Sequence, residues 1–253
     1  MSKDFKKHFY MLYNKLFNKE NFAFTRFSDG ELRIMQNKEL ILADDHYKIG
    51  DNKVSSAYHP EDHKHFNPIK HQHIRNKLIE SYKHLQDNYY VGLSCRCCVG
   101  DKDFNEMIDL YDGDPNSDLL TWSNLLINGN YDLFMNEMLP LFNNRKIVYI
   151  LNENANVSNL PFNLEKDFRI GENCIINNYG MENEISIWIE ENNINNYVFL
   201  FSASSLSNMI IYELYKKYPN NTFIDIGTTL NKLLNMKGSR GYLSGSNRKI
   251  CIW

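Results

Sequence analysis

No stretch of the 253-residue sequence approaches the ~18 consecutive apolar residues of a bilayer-spanning helix, and mean hydropathy is −0.51. A transmembrane helix is excluded on both counts. The N-terminal run Met1-Ser2-Lys3-Asp4-Phe5-Lys6-Lys7-His8 lacks the apolar core of a secretory leader, so a soluble, cytoplasmic chain is expected. Surplus positive charge is missing as well. With 28 Lys and Arg against 31 Asp and Glu the net charge is −3, which offers no broad cationic field to nucleic acid or an anionic membrane. The sequence contains no G-x-G-x-x-G dinucleotide fingerprint and no H-E-x-x-H zinc motif. It also lacks internal repeats and any linker rich in Pro, Gly or Ser, so residues 1–253 are expected to form a single domain.

Cysteine is sparse and odd in number at five, with three crowded into Cys95-Arg96-Cys97-Cys98. That spacing suits thiols buried beside a strand in a reducing compartment better than a disulfide framework. Cleft lining and metal ligation are the other readings, although no second cysteine pair stands at ligand spacing.

What is present is an alternation of short apolar runs with longer helix-like stretches, the pattern of an α/β fold with a mostly parallel sheet flanked by helices. Strands are expected near 22–26, 89–94, 146–151, 174–177, 197–201 and 222–226. Helices are expected near 3–18, 30–36, 69–86, 103–110, 118–126, 130–142, 182–193 and 205–217. Ile147-Val148-Tyr149-Ile150-Leu151 and Val198-Phe199-Leu200-Phe201 are unbroken apolar runs, as in strands covered on both faces. Residues 43–68 are polar, rich in His and Asp and interrupted by Pro60 and Pro68, so they read as a long insertion or lid.

Ligands of doubly wound sheets bind at the carboxyl ends of strands, and several polar groups fall at those positions here. Arg26-Phe27-Ser28-Asp29-Gly30-Glu31 follows the first strand with an Arg, a Ser, a Gly and two carboxylates. Such carboxylates can share a hard cation, Mn²⁺ or Mg²⁺, that also holds phosphate oxygens; equally, Asp29 and Glu31 serve the first turn of a helix. Ser202-Ala203-Ser204-Ser205 opens a helix, where free amides suit an anion and serines suit a cap. Asn152-Glu153 and Asp225-Ile226-Gly227-Thr228 end two further strands. Polar groups on four strand ends fit one cleft.

In Arg26 to Glu31, in the strand, small-residue turn and helix from Val198 to Tyr215, and in Phe223-Ile224-Asp225-Ile226-Gly227, the chain resembles the GT-D-type glycosyltransferases. The resemblance implies a Rossmann-like α/β domain that transfers a sugar from a nucleotide-sugar donor, a UDP-sugar first, to a glycan or glycoconjugate acceptor. It also implies a hexosyltransferase-like enzyme in which an Asp-x-Glu pair, here Asp29 and Glu31, engages Mn²⁺ and the donor diphosphate. Arg26, Ser28, Gly30, Asn152, Ser202, Ala203, Ser204, Ser205, Gly227, Thr228 and Arg240 would contact the donor. Glu153 or Asp225 would accept the acceptor's proton if the reaction inverts. Two departures stand out: Ser28 where the family commonly has Gly, and Thr228 where many members have His.

Other features compete. His46, His59, His63, His65, His71 and His73, with Asp44, Asp45 or Asp62, would on another reading make a metal-dependent hydrolase. A non-catalytic nucleotide-binding module on the same fold is a third reading, and a homo-oligomer is compatible with all three. Trp122-Ser123-Asn124 and Asn128-Gly129-Asn130-Tyr131 combine rings and amides as acceptor sites do, and Lys237 to Tyr242 is a basic segment suited to closing over a diphosphate.

Overall fold

The computed structural model describes residues 4–42, 47–54, 63–246 and 251. In chain order the elements begin with α1 (Phe5–Phe17), β1 (Ala23–Phe27) and α2 (Asp29–Met35). Then come β2 (Leu40–Leu42), β3 (Tyr47–Ile49), β4 (Asn52–Val54), β5 (Lys64–Phe66) and α3 (Gln72–Lys83). The middle of the chain forms β6 (Tyr89–Leu93), α4 (Arg96–Leu110), β7 (Leu120–Trp122), α5 (Tyr131–Leu133) and β8 (Ile147–Asn152). The remainder supplies β9 (Leu164–Ile170), α6 (Cys174–Asn177), α7 (Met181–Glu191), β10 (Val198–Phe201), α8 (Ser205–Lys217), β11 (Thr222–Asp225) and α9 (Gly241–Ser244).

Seven strands form one sheet in the order β7-β6-β1-β11-β10-β8-β9, and every pairing in it is parallel. The expected fold is therefore found: a Rossmann-like α/β sheet flanked by helices. Its central strands are buried throughout, which is why Ile147 to Leu151 and Val198 to Phe201 carry no polar alternation. Helix α8 packs on β1 and β11 and is itself covered by α3 and α7, so ten of its thirteen residues are buried. By contrast α1 buries one stripe, Phe5, Phe9, Leu12 and Leu16, at the spacing of a surface helix. Asp4 starts it by accepting from the amides of Lys6 (2.9 Å) and Lys7 (3.2 Å). Among the described residues no helix is long and apolar enough to cross a membrane.

Two expected elements are corrected, and two features go beyond the expectation. Residues 174–177 form α6 rather than a strand, because Asn173 turns the chain at φ 48° straight after β9. Residues 118–126 contain the edge strand β7 rather than a helix. Strand β9, Leu-Glu-Lys-Asp-Phe-Arg-Ile, was not expected, since an edge strand open to solvent carries few apolar residues. The insertion expected at 43–68 is present and carries strands of its own: with Leu40–Leu42 its described residues build an antiparallel sheet in the order β4-β3-β2-β5. His46, His59, Asp44, Asp45, Pro60 and Asp62 lie outside the described residues.

Strand order reverses between β8 and β10: β8 is followed by β9 on one side, whereas β10 is followed by β11 on the other. That arrangement leaves a crevice at the carboxyl ends of these strands. Strands β1 and β11, the next pair along, are hydrogen-bonded in register only at Ala23↔Phe223 and Phe24↔Ile224. Beyond it the buried Asn208 of α8 takes over, accepting from the Arg26 amide (3.1 Å) and donating to the Arg26 carbonyl (3.0 Å). The backbone of Arg26 is thus satisfied without a neighbouring strand on that side.

Candidate active site

The crevice opens into a cavity of about 710 Å³. Its walls come from the carboxyl ends of β1, β8, β10 and β11, from the small antiparallel sheet, from Gly171 to Cys174 after β9, and from Lys237 to Tyr242. Of the residues singled out in the sequence, Arg26, Ser28, Asp29, Gly30, Glu31, Asn152, Ser202, Ala203, Ser204, Asp225, Gly227, Thr228 and Arg240 line it. Two do not. Ser205 lies fully buried beneath the wall, with its hydroxyl on Glu31. Glu153 is an exposed residue beside Gly171, one position beyond the end of β8.

Asp29 and Glu31 have different surroundings although one residue separates them. Asp29 is exposed at the start of α2 and, among the described residues, has no ion-pair or hydrogen-bond partner. Glu31 is buried: one oxygen accepts from the Ser28 amide (2.9 Å), and the other accepts from the Ser205 hydroxyl and faces the Lys64 ammonium at 3.5 Å. Burial alone would push the Glu31 carboxyl up, but Lys64, Ser205 and the Ser28 amide together hold it below the ordinary range. A carboxylate has about four lone-pair sites, and three of those on Glu31 are in use. The remaining site, with the open carboxylate of Asp29, fits a hard oxygen-ligated cation in donor chemistry.

Arg26 is clamped on two sides. Its Nε donates to the Ser123 carbonyl and its Nη1 stands 4.0 Å from Asp225 Oδ1. Asp225 also accepts from the Gly227 amide at 2.9 Å. Burial pushes the Asp225 carboxyl up to about 7, against the pull of Arg26 and the Gly227 amide and helped by the nearby charge of Glu31. Gly227 has φ +53°, and a Cβ there would overlap the Arg26 guanidinium. The turn therefore needs glycine for its backbone and for the room it leaves.

The turn after β10 is held in an unusual conformation. Ser204 has φ 51° and ψ −145°, a region that costs a residue with a side chain roughly 1–3 kcal/mol. Next to it, Ser202 donates to the Gly227 carbonyl (2.5 Å) and meets the Tyr149 hydroxyl at 2.8 Å, tying the ends of β8, β10 and β11 together. Thr228 bonds the Tyr242 hydroxyl at 2.5 Å, which fastens the Lys237 to Tyr242 segment to the cavity wall.

Several lining residues were not singled out beforehand. Lys64 and Arg33 bring cations, and Asn154, Asn173 and Asn231 bring amides. Lys64 sits in β5, whose residues are buried, exposed and buried in turn, but Lys-His-Phe carries no apolar alternation by which the sequence would show a strand. Of those histidines, His63 lines the cavity 3.9 Å from Glu172, His71 accepts from the Asn67 amide, and His73 packs edge-on against Tyr179. Among the described residues none of them joins a group of three or more metal-ligating side chains. Trp122 is buried between Phe5 and Phe104 and does not line the cavity, whereas Asn128 does.

The fold and this crevice define a doubly wound α/β protein with a polar site of mixed charge at its strand reversal. Two solved structures are similar over almost the whole chain. One, a selenomethionine-substituted structure of domain of unknown function 1792, shares 12% identity at a TM-score of 0.56, covering 99% of this chain and 94% of its own. The other, which describes that domain as having a distinct glycosyltransferase fold, shares 12% identity at a TM-score of 0.57, covering 97% and 88%. Neither a family model nor a curated protein matches the sequence. The chain therefore has the fold described for that domain, a glycosyltransferase fold.

Proposed function

We propose that the protein is a nucleotide-sugar-dependent glycosyltransferase whose donor diphosphate lies in the cavity at the carboxyl ends of β1, β10 and β11. The observation that carries this reading is the pairing of an open carboxylate, Asp29, with Arg26, Lys237 and Arg240 around one cavity. Those cations match a diphosphate, and its volume lies in the ~300–1,000 Å³ range usual for small-ligand sites. Asp29, with the free lone pair of Glu31, would hold Mn²⁺ or Mg²⁺. When bound, such an ion neutralises charge on the departing diphosphate.

The chain's own groups divide the remaining work. Arg26, held by the Ser123 carbonyl and Asp225, presents its guanidinium at the Gly227 turn without having to reorganise. Asp225 is the better placed of the two candidate bases: it lines the cavity, and a carboxyl near pH 7 accepts a hydroxyl proton more readily than an ordinary one. Lys237, Arg240, Gly241 and Tyr242 line the same cavity and would close on the diphosphate from that side. UDP-sugars are the first donors to try and glycans or glycoconjugates the first acceptors.

The test is incubation with a panel of nucleotide sugars and Mn²⁺, scoring nucleotide release with and without acceptors. Wild type should release nucleotide and Asp29→Asn should lose metal-dependent turnover by at least ~100-fold while unfolding at the same temperature. Full activity in Asp29→Asn refutes the metal role. Nucleotide binding with no release under any donor favours a non-catalytic module.

A further inference from the structure

Four of the five cysteines meet outside the crevice. Cys95, Cys97 and Cys98 at the start of α4 are joined by Cys251, more than 150 residues later in the chain. All four sulfurs lie within 4.8 Å of one another, and among the described residues this is the sole cluster of three or more metal-ligating side chains. The closest approaches are Cys95–Cys97 at 2.8 Å, Cys97–Cys251 and Cys98–Cys251 at 3.4 Å, Cys95–Cys98 at 3.5 Å and Cys95–Cys251 at 3.6 Å. None is bonded to another.

A tetrahedral zinc ion with Zn–S bonds of ~2.3 Å separates its sulfurs by about 3.8 Å, close to most of these distances. An iron–sulfur cluster interposes its own irons and sulfides and needs a wider cage. The chemistry around the sulfurs also suits thiolates. Asn124 Nδ2 donates to Cys95 Sγ (3.4 Å) and Cys98 Sγ (3.9 Å), and Asn128 Nδ2 donates to Cys251 Sγ (3.4 Å). Such amide-to-sulfur bonds orient ligands and disperse the charge of a tetrathiolate. Cys95-x-x-Cys98 is itself the two-ligand spacing common in structural zinc sites.

We propose that Cys95, Cys97, Cys98 and Cys251 form a structural tetrathiolate site for one Zn²⁺ ion. With four protein ligands the site has no open position, so it holds structure and does no chemistry on substrate. It ties the segment at Cys251 to the first turn of α4. It also reaches the crevice: Asn130 donates to the Cys251 carbonyl (3.3 Å), Asn128 lines the cavity, and Ser123, at the other end of the same loop, holds Arg26. The ion thereby braces one wall of the substrate site from behind.

The experiment is elemental analysis of the untagged full-length chain, purified without chelator, with X-ray absorption at the zinc edge and cobalt exchange. One zinc per chain, an all-sulfur shell near ~2.3 Å and tetrathiolate absorption of the cobalt form are expected. Cys251→Ser and Cys97→Ser should lose the zinc, whereas Cys174→Ser, which changes the cysteine outside the cluster, should keep it. Asn124→Ala should weaken zinc roughly 10–100-fold in competition with a chromogenic chelator. Wild type that neither carries zinc nor takes it up after reduction and reloading overturns the proposal. A shell containing nitrogen or oxygen, an iron–sulfur chromophore, or a disulfide between any two of the four after anaerobic purification does the same. None of these measurements depends on transferase activity, so the site stands or falls apart from the reaction.

Discussion

Replacing Lys64 by methionine should both destabilise the protein and reverse the pH response of one carboxylate. The two side chains are almost enclosed, with 7% of Lys64 and 11% of Glu31 exposed, and removing one partner of a buried pair generally costs about 3–5 kcal/mol. The lower figure applies because Glu31 keeps the Ser205 hydroxyl and the Ser28 amide. For a chain of this length about 3 kcal/mol lowers the unfolding temperature by roughly 6–12 °C near neutral pH. In wild type the Glu31 carboxyl titrates below its unfolded value, so its contribution is complete above that value and is lost as pH falls through the native one. In Lys64→Met burial is left to dominate and the native value rises above the unfolded one. Protonation then relieves the buried charge, and the stability gap to wild type narrows as pH drops from 7 toward 4. Urea unfolding of both proteins across that range measures the gap. A gap that stays constant would show that Lys64 contributes packing alone and that Glu31 does not depend on its charge.

Asp225→Asn should remove a pH dependence of opposite sign: with the native carboxyl near 7 and the unfolded one near 4, that carboxyl makes wild-type stability fall as pH climbs between those values, and the variant's unfolding temperature should lack this contribution, so that the difference between the two proteins changes across the window. Gly227→Ala should cost about 1–2 kcal/mol for its left-handed backbone and also displace Arg26. Gly227→Asn, which tolerates that backbone better, should keep stability while still weakening calorimetric binding of UDP; equal UDP affinity in all three proteins would remove Arg26 from the diphosphate site. Asn208→Ala leaves the amide and carbonyl of Arg26 without their partner and should cost roughly 2–4 kcal/mol by urea titration, far more than an exposed Asn→Ala change such as Asn195→Ala.

The strands that form the middle of the sheet were legible because burial on both faces leaves an unbroken apolar run, as in Tyr149 and its neighbours. The edge strands β7 and β9 were not. Leu164 to Ile170 alternates charged with apolar residues too irregularly to stand out, and Leu120 to Trp122 is too short to show a period. The polar turns after β1, β10 and β11 could be placed on one rim from chain order alone, since parallel strands deliver their carboxyl ends to the same side. Which carboxylate faces solvent and which is held from within could not be read. That division depends on Lys64 and Ser205, which are 33 and 174 positions from Glu31. Asn208 escaped notice for a similar reason: an amide within the apolar face of α8 gains its meaning only once the β1 backbone lies opposite.

The crossover from β1 to β6 is spent largely on α2, the small antiparallel sheet and α3, and its residues Leu42, Ile49 and His63 face the ligand space. A chain built this way can revise what it admits by editing a single excursion, because none of those positions participates in the hydrogen-bond ladder of the seven principal strands. Divergent relatives can thus retain the platform while exchanging the canopy, which gives selection a route to new substrates that does not pass through refolding the protein.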